Sequence, residues 1–356
     1  MDVKAFLERK NIEISWRRYC IDAMGAMAGG LFCSLLIGTI LSTIGREAGI
    51  DILVKTGGYA ASMSGPAMAV AIGYALKCPP MALFSLVAVG AAANGLGGAG
   101  GPLAVLIIAI VAAEFGKAVS HETRVDILVT PAVTVFVGVA LSLLIAPPVG
   151  AAAMKAGAVI MAATTLQPFL MGILVSVIVG ICLTLPISSA AICAALSLTG
   201  LAGGAAVAGC CAQMVGFAVI SYRDNGMGGL ISQGIGTSML QMGNIVRNPR
   251  IWIAPILTSA ITGPIATCLF GLEMNGPAVS SGMGTCGLVG QIGVYSGWVS
   301  DMGSGAKDAI TAFDWISLVL VSFILPAVIC PIINTFIKRI GWVHDGDMIL
   351  IRHPEK

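Results

Sequence analysis

The sequence predicts an all-α polytopic membrane protein of about ten transmembrane helices with two re-entrant hairpins, and three observations predict it. Only 10% of the 356 residues are charged and 57% are hydrophobic, against roughly 25% charged in soluble domains, and the mean hydropathy is +0.96. Residues 23–45, 251–272 and 315–337 each run without a charge for about the 20 residues that cross a hydrocarbon core as helix. From Ala156 to Tyr222 no side chain is charged at all.

Each element follows from local pattern. Phe6, Leu7, Ile12, Ile14 and Trp16 sit among charges, as in an amphipathic helix lying in the membrane interface. The mixed charge of that tail and the length of the apolar run behind it argue against a signal peptide. Span one is expected over 20–44 and span two over 59–76, where Gly, Ala and Ser let helices approach closely in lipid. "KCPP" ends it. Spans three (81–94) and four (103–115) flank "GLGGAGGP", a helix breaker. Span five covers 127–145 and stops at Pro147-Pro148. Residues 149–165, with Lys155 among them, read as an interfacial linker between two halves, 1–148 and 166–340, and a tail follows over 341–356. Span six is 169–185, and "PISSAAICAALSLTG" (186–200) is too short to cross. Spans seven (202–222), eight (226–246), nine (251–272) and ten (315–337) complete the count.

Charge placement supports this layout, since Lys and Arg gather on cytoplasmic loops. Ten spans put both termini on the cytoplasmic side, with Lys77, Lys117, Arg124, Arg247, Arg250, Lys338 and Arg339. Arg46, Lys55, Lys155 and Arg223 fall outside. The count requires that 186–200 dip in from the cytoplasm and 275–300 from outside. Non-helical backbone at such depth survives only inside protein or beside water.

Glu273, in "FGLEMNGPAVSSGMGTCGLVGQIG", is the leading binding candidate. A carboxylate within the membrane costs about 2.5–3.5 kcal/mol and persists where it faces protein, water or a ligand. Asn275, Thr285 and Gln291 supply neutral hydrogen-bonding groups nearby, a set suited to a polyhydroxylated neutral ligand; the plainer alternative makes Glu273 the end of span nine. Gln213, Asn225, Gln241 and Asn244 either line a polar pathway or bond helix to helix, and Ser188 and Ser189 at the first hairpin stand the same way. Glu114 and Lys117, about one turn apart, read as an ion pair within a helix.

No catalytic set is present. His121, His344 and His353 lie in a loop and the tail, outside any Ser/His/Asp or metal-ligand spacing. A phosphate-binding G-x-x-x-x-G-K is missing. The sequence implies no metal, no cofactor and no nucleic-acid partner. The ten cysteines read as small apolar packing residues.

The N-terminal 41 residues, "PISSAAI", "GCCAQMVGFAVISYRDN", "QGIGTSMLQMGNIVRNPRIWI" and "EMNGPAVSSGMGTCGLVGQ" together resemble the stand-alone enzyme IIC permeases of the bacterial phosphotransferase system. The likeness is to their perfringolysin-regulator-like branch and runs over nearly the whole chain. It implies an elevator-type homodimer in the bacterial cytoplasmic membrane, with the N-terminal half at the dimer interface and the C-terminal half carrying a sugar. It further implies that Glu273 contacts sugar hydroxyls, and that separate soluble IIA and IIB proteins perform the phosphotransfer, docking at 117–125 or 247–250. Related permeases use a histidine near the sugar, whereas this C-terminal membrane half has none. Two other readings fit the same fold, an ion-coupled carrier with Glu273 or Glu114 as proton site, and a ligand-sensing membrane regulator.

Overall fold

The computed structural model describes residues 3–350; His353 and the rest of 351–356 lie outside the described residues. Among these residues the chain is helical, with one isolated β-bridge between Gly200 and Met274. Six helices among the described residues are long and apolar enough to cross a membrane. The fold divides into two compact units, 1–152 and 153–356.

In the first unit, helix α1 (Val3–Arg9) precedes α2 (Arg17–Ala48), which ends at Gly49 in the left-handed conformation. α3 (Asp51–Ser62) and α4 (Ser64–Ala75) run back along α2. Small residues set their spacing, since a Cβ on Gly57 would lie 2.3 Å from the Gly38 carbonyl. α5 (Pro80–Gly97) and α6 (Gly101–Val119) flank a break at Gly98, as the glycine run predicts.

α7 (Asp126–Thr164) corrects the reading of Pro147-Pro148 as a stop. The helix continues through both prolines, so 149–164 is helical. Proline removes a backbone bond and crowds the preceding turn, yet the helix runs on through Val149, Gly150 and three alanines to Thr164.

The N-terminal segment is tied to the loop after α6. Lys10 Nζ reaches the Ser120 carbonyl and the Glu122 carboxylate, and Arg9 pairs with Glu122 at 2.8 Å. The hydrogen bond from Lys10, helped by the Arg9 and Lys10 charges, holds the Glu122 carboxyl below its ordinary value. Because the folded-state value is the depressed one, this tether contributes fully above the ordinary carboxylate value of 4.5 and is lost as pH falls through the lower folded value. A spin label at position 8 is therefore expected to gain mobility in that acid window, and Glu122→Gln should already be mobile at neutral pH. Equal mobility of both proteins at neutral pH would show that the tether is idle.

The second unit contains α8 (Pro168–Thr184), the short α9 (Ser189–Ala195) and α10 (Gly200–Ile220). These are followed by α11 (Tyr222–Ile231), α12 (Met242–Arg247), α13 (Pro249–Leu269), α14 (Val289–Ser304) and α15 (Ala312–Arg339). α10 is the axis, almost wholly buried.

Here the direction of the chain departs from expectation. Gly209 of α10 packs on Ser176, and Thr184 bonds Gln213 at 3.3 Å, so α8 and α10 rise together. α13 runs against both, with Ser259 beside Ser176 and Gly209, and Thr267 on the Pro168 carbonyl. Residues 185–199 therefore carry the chain back along the unit rather than returning it to the end it left. Expected span eight is no single helix either. Asn225 and Gln241 both donate to the Met348 carbonyl, at 2.8 and 3.0 Å, whereas helix over that span would part its ends by about 30 Å. Gly226, at φ 59 and ψ −157, breaks α11 in a region that only glycine enters readily. The two departures cancel in the direction count. They also move Arg223 to the end holding Lys338, where both cations act on Asp345.

Candidate functional site

The site begins where α13 gives way to extended chain. Gly271 takes φ 55, and Leu272, Glu273 and Met274 then run extended past the start of α10. Met274 exchanges two backbone bonds with Gly200, at 3.0 and 2.9 Å. Side chains alternate along extended backbone. Leu272 and Met274 are thus buried, and Glu273 between them is exposed.

Beyond Met274 the chain forms a hairpin. It runs beside α10 in that helix's own direction to Thr285, turns through Gly284, Gly287 and Leu288 at positive φ, and returns as α14. Gly276 lies against Gly293, so the two limbs touch. At the mouth, the Asn275 amide donates to Glu273 Oε2 at 3.0 Å and to Asp301 Oδ2 at 2.8 Å.

Glu273 and Asp301 border a cavity of about 200 Å³ that Phe270, Trp298, Lys307 and Asp314 also line. Lys307 pairs with Asp314 at 2.8 Å and lies 5.9 Å from the Trp298 ring centre, which Trp315 braces edge-on. Three carboxylates thus face one ammonium, and Glu273 and Asp301 share a single neutral amide. Carboxylate oxygens and an indole face suit hydroxyl groups and the apolar faces that carry them. Sequence reasoning finds Glu273 and Asn275 here and misses Trp298, Asp301, Lys307 and Asp314. The signal for the three charged ones is the cluster between 301 and 314, which follows a stretch, 251–300, charged only at Glu273.

The other sequence candidates do not join them. Ser188 caps α9 through the Ala191 amide at 3.2 Å, and Ser189 donates to the Gly282 carbonyl at 2.7 Å, joining α9 to the hairpin. Thr285 bonds the Gly234 carbonyl at 2.5 Å, and Gln291 bonds Ser322 at 3.0 Å. Gln213 accepts from Trp252 at 2.8 Å and donates to Ser259 at 3.3 Å, which makes it interhelical glue. Asn225, Gln241 and Asn244 hold the chain's own residues 348–350.

The expected docking loops are also partly covered. Lys117 and Ser120 are buried, Glu122 is paired with Arg9 and Lys10 of the N-terminal segment, and Asn248 bonds Trp342 at 3.1 Å and Asp347 at 2.9 Å. Glu114 pairs with Lys117 at 2.8 Å as the spacing predicts, and it also accepts from Tyr19 at 3.2 Å.

A family model described as "Phosphotransferase system, EIIC" matches residues 21–350. The chain belongs to this family. It is an integral membrane protein and a IIC permease of the phosphotransferase system in the general sense. The EIIC match ends at Leu350, the last residue bonded by Asn225. Comparisons with curated proteins and with solved structures each return no match.

Proposed function

We propose that this IIC protein moves a sugar or sugar-like solute across the bacterial cytoplasmic membrane by alternating access, for phosphorylation by separate IIA and IIB proteins. The solute binds at the cavity beside Glu273. One observation carries the reading: alternation along 272–274 turns Glu273 into a cavity that Asp301, Lys307 and the Trp298 indole also line. In this reading residues 153–340 form the moving half of an elevator homodimer, and both termini are cytoplasmic. The hairpin 274–304 enters and leaves at one membrane face. Residues 185–199 serve as the broken return limb, so that ten passes remain. The membrane half performs no chemistry of its own.

Thermal melting of the purified protein against a panel of sugars and sugar alcohols tests this, with Glu273→Gln beside wild type. A ligand at a hundred times its Kd adds about 2.7 kcal/mol to the folded state, a readily measured shift. One sugar should raise the melting temperature of wild type and fail to raise that of the glutamine variant. A shift of equal size in both would remove Glu273 from the site.

The pairing of Glu273 and Asp301 on one amide favours a second reading, an ion-coupled carrier with these two carboxylates at the ion site. Uptake without IIB that rises with an imposed proton gradient would select it.

A further inference from the structure

Residues 342–350 are held mainly through their backbone. The Asp224 carboxylate accepts the Gly346 and Met348 amides at 3.1 and 3.2 Å. Asn225 and Gln241 donate to the Met348 carbonyl, and Asn244 donates to that of Ile349 at 3.0 Å. The Leu350 amide donates to Asn225 Oδ1 at 2.7 Å. Behind these groups the network continues into the irregular lobe 222–247. Gln241 donates to Gln233 at 2.9 Å, and Gln233 to Ser221 at 2.9 Å. Gly234, next in the chain, accepts from Thr285 at the tip of the hairpin. Tail and tip thus bracket one lobe.

Three features make the tail's hold reversible. Each carboxamide keeps a partner inside the lobe when the tail leaves: Asn225 has the Ser221 carbonyl at 3.2 Å, Gln241 has Gln233, and Asn244 has Gln241 at 2.8 Å. Release therefore leaves every one of these NH2 groups bonded, and the acceptors it frees, Asp224 and Asn225 Oδ1, belong to part-exposed residues that water reaches, so no buried polar group is left unpaired at full cost. The segment contributes only two well-buried apolar side chains, Val343 and Met348. Gly341 and Gly346, at φ 78 and 92, place a pivot at its start and another within it.

We propose that residues 342–350 are a releasable latch: bound, they hold the lobe 222–247 beneath the hairpin tip, and released, they free the tip at the basic end of the unit. The solute reading above gives that movement a use, as the gate at the end away from Glu273, but the latch is measured without any solute. The experiment is hydrogen exchange on the full chain in detergent, comparing wild type with Asn225→Asp, which turns a donor into a carboxylate facing the Met348 carbonyl. A second variant ends the chain at Trp342. Both are expected to exchange about tenfold faster at 232–241 and 284–288, with the amides of 203–212 in α10 unchanged. Faster exchange of the tail alone, with 284–288 as protected as in wild type, would overturn the coupling. Loss of protection along α10 in both variants would make the tail a fixed part of the fold and overturn the latch equally.

Discussion

Gly204→Ala is expected to destabilise the second unit by about 3 kcal/mol or more, the upper end of what overpacking costs. A Cβ at this position would lie 1.8 Å from the Leu272 carbonyl oxygen. Neither partner has a flexible side chain to move aside, since both surfaces are backbone. Leu272 is further fixed two residues on, where Met274 is bonded to Gly200 by both backbone groups. α10 cannot shift the other way, because Gly209 rests on the Ser176 carbonyl, where a Cβ would lie 1.9 Å from the oxygen. The close approach also sets the site, since the extended run past Gly204 is what turns Glu273 into the cavity. The variant should therefore melt well below wild type and lose any sugar-induced shift. Gly228→Ala, where nothing lies within 4 Å, is the control and should melt within a degree or two of wild type. Equal melting of Gly204→Ala and the control would show that α10 and residues 271–274 are not in contact.

What the sequence made legible follows from what hydropathy and glycine content measure. Long apolar windows locate α2, α7, α13 and α15, and the glycine run at 95–102 locates the break between α5 and α6. The same windows cannot register direction. Residues 226–246 are apolar enough to be taken for a span, yet Gly226, Gly234 and Gly236 fold them into short pieces whose two ends meet on Met348. A clue was available in "NGMGGLISQGIG", whose five glycines in twelve residues disfavour a straight helix. Asn225, Gln241 and Asn244 stay open in the sequence between pathway and helix-to-helix bonding, because a sequence records that they are polar and not what they bond. Their partners are backbone atoms more than a hundred residues away. Glu273 and Asn275 were legible because a lone carboxylate in an uncharged region must be accommodated. Asp301 and Trp298 were not, because the return of α14 to the hairpin mouth is a matter of packing.

The pair Glu114 and Lys117 gives the largest effect expected in the first unit. The Lys117 side chain is 1% exposed and that of Glu114 14%, with Nζ and Oε2 2.8 Å apart. Lys117 also donates to the Leu76 carbonyl at 3.2 Å, at the end of α4, and Arg18 reaches the same oxygen at 2.7 Å. Lys117→Met keeps the volume of the stem and removes the charge. The Leu76 carbonyl would keep Arg18, so that acceptor is not orphaned. Glu114 would keep only the Tyr19 hydroxyl among these partners, which does not neutralise a carboxylate held out of water. Breaking a buried pair by deleting one partner costs about 3–5 kcal/mol, whereas replacing both partners is often neutral. Lys117→Met should therefore lower the melting temperature strongly, and adding Glu114→Gln to it should restore most of the loss. A double-mutant cycle measures that recovery as an interaction energy. If the double variant is no more stable than Lys117→Met alone, the cost lies in packing of the lysine stem and not in charge. The cycle also bears on ion coupling: Glu114, spent on Lys117 and Tyr19, is a structural acid, so a Glu114→Gln/Lys117→Met protein that regains its stability should also retain solute binding in the second unit.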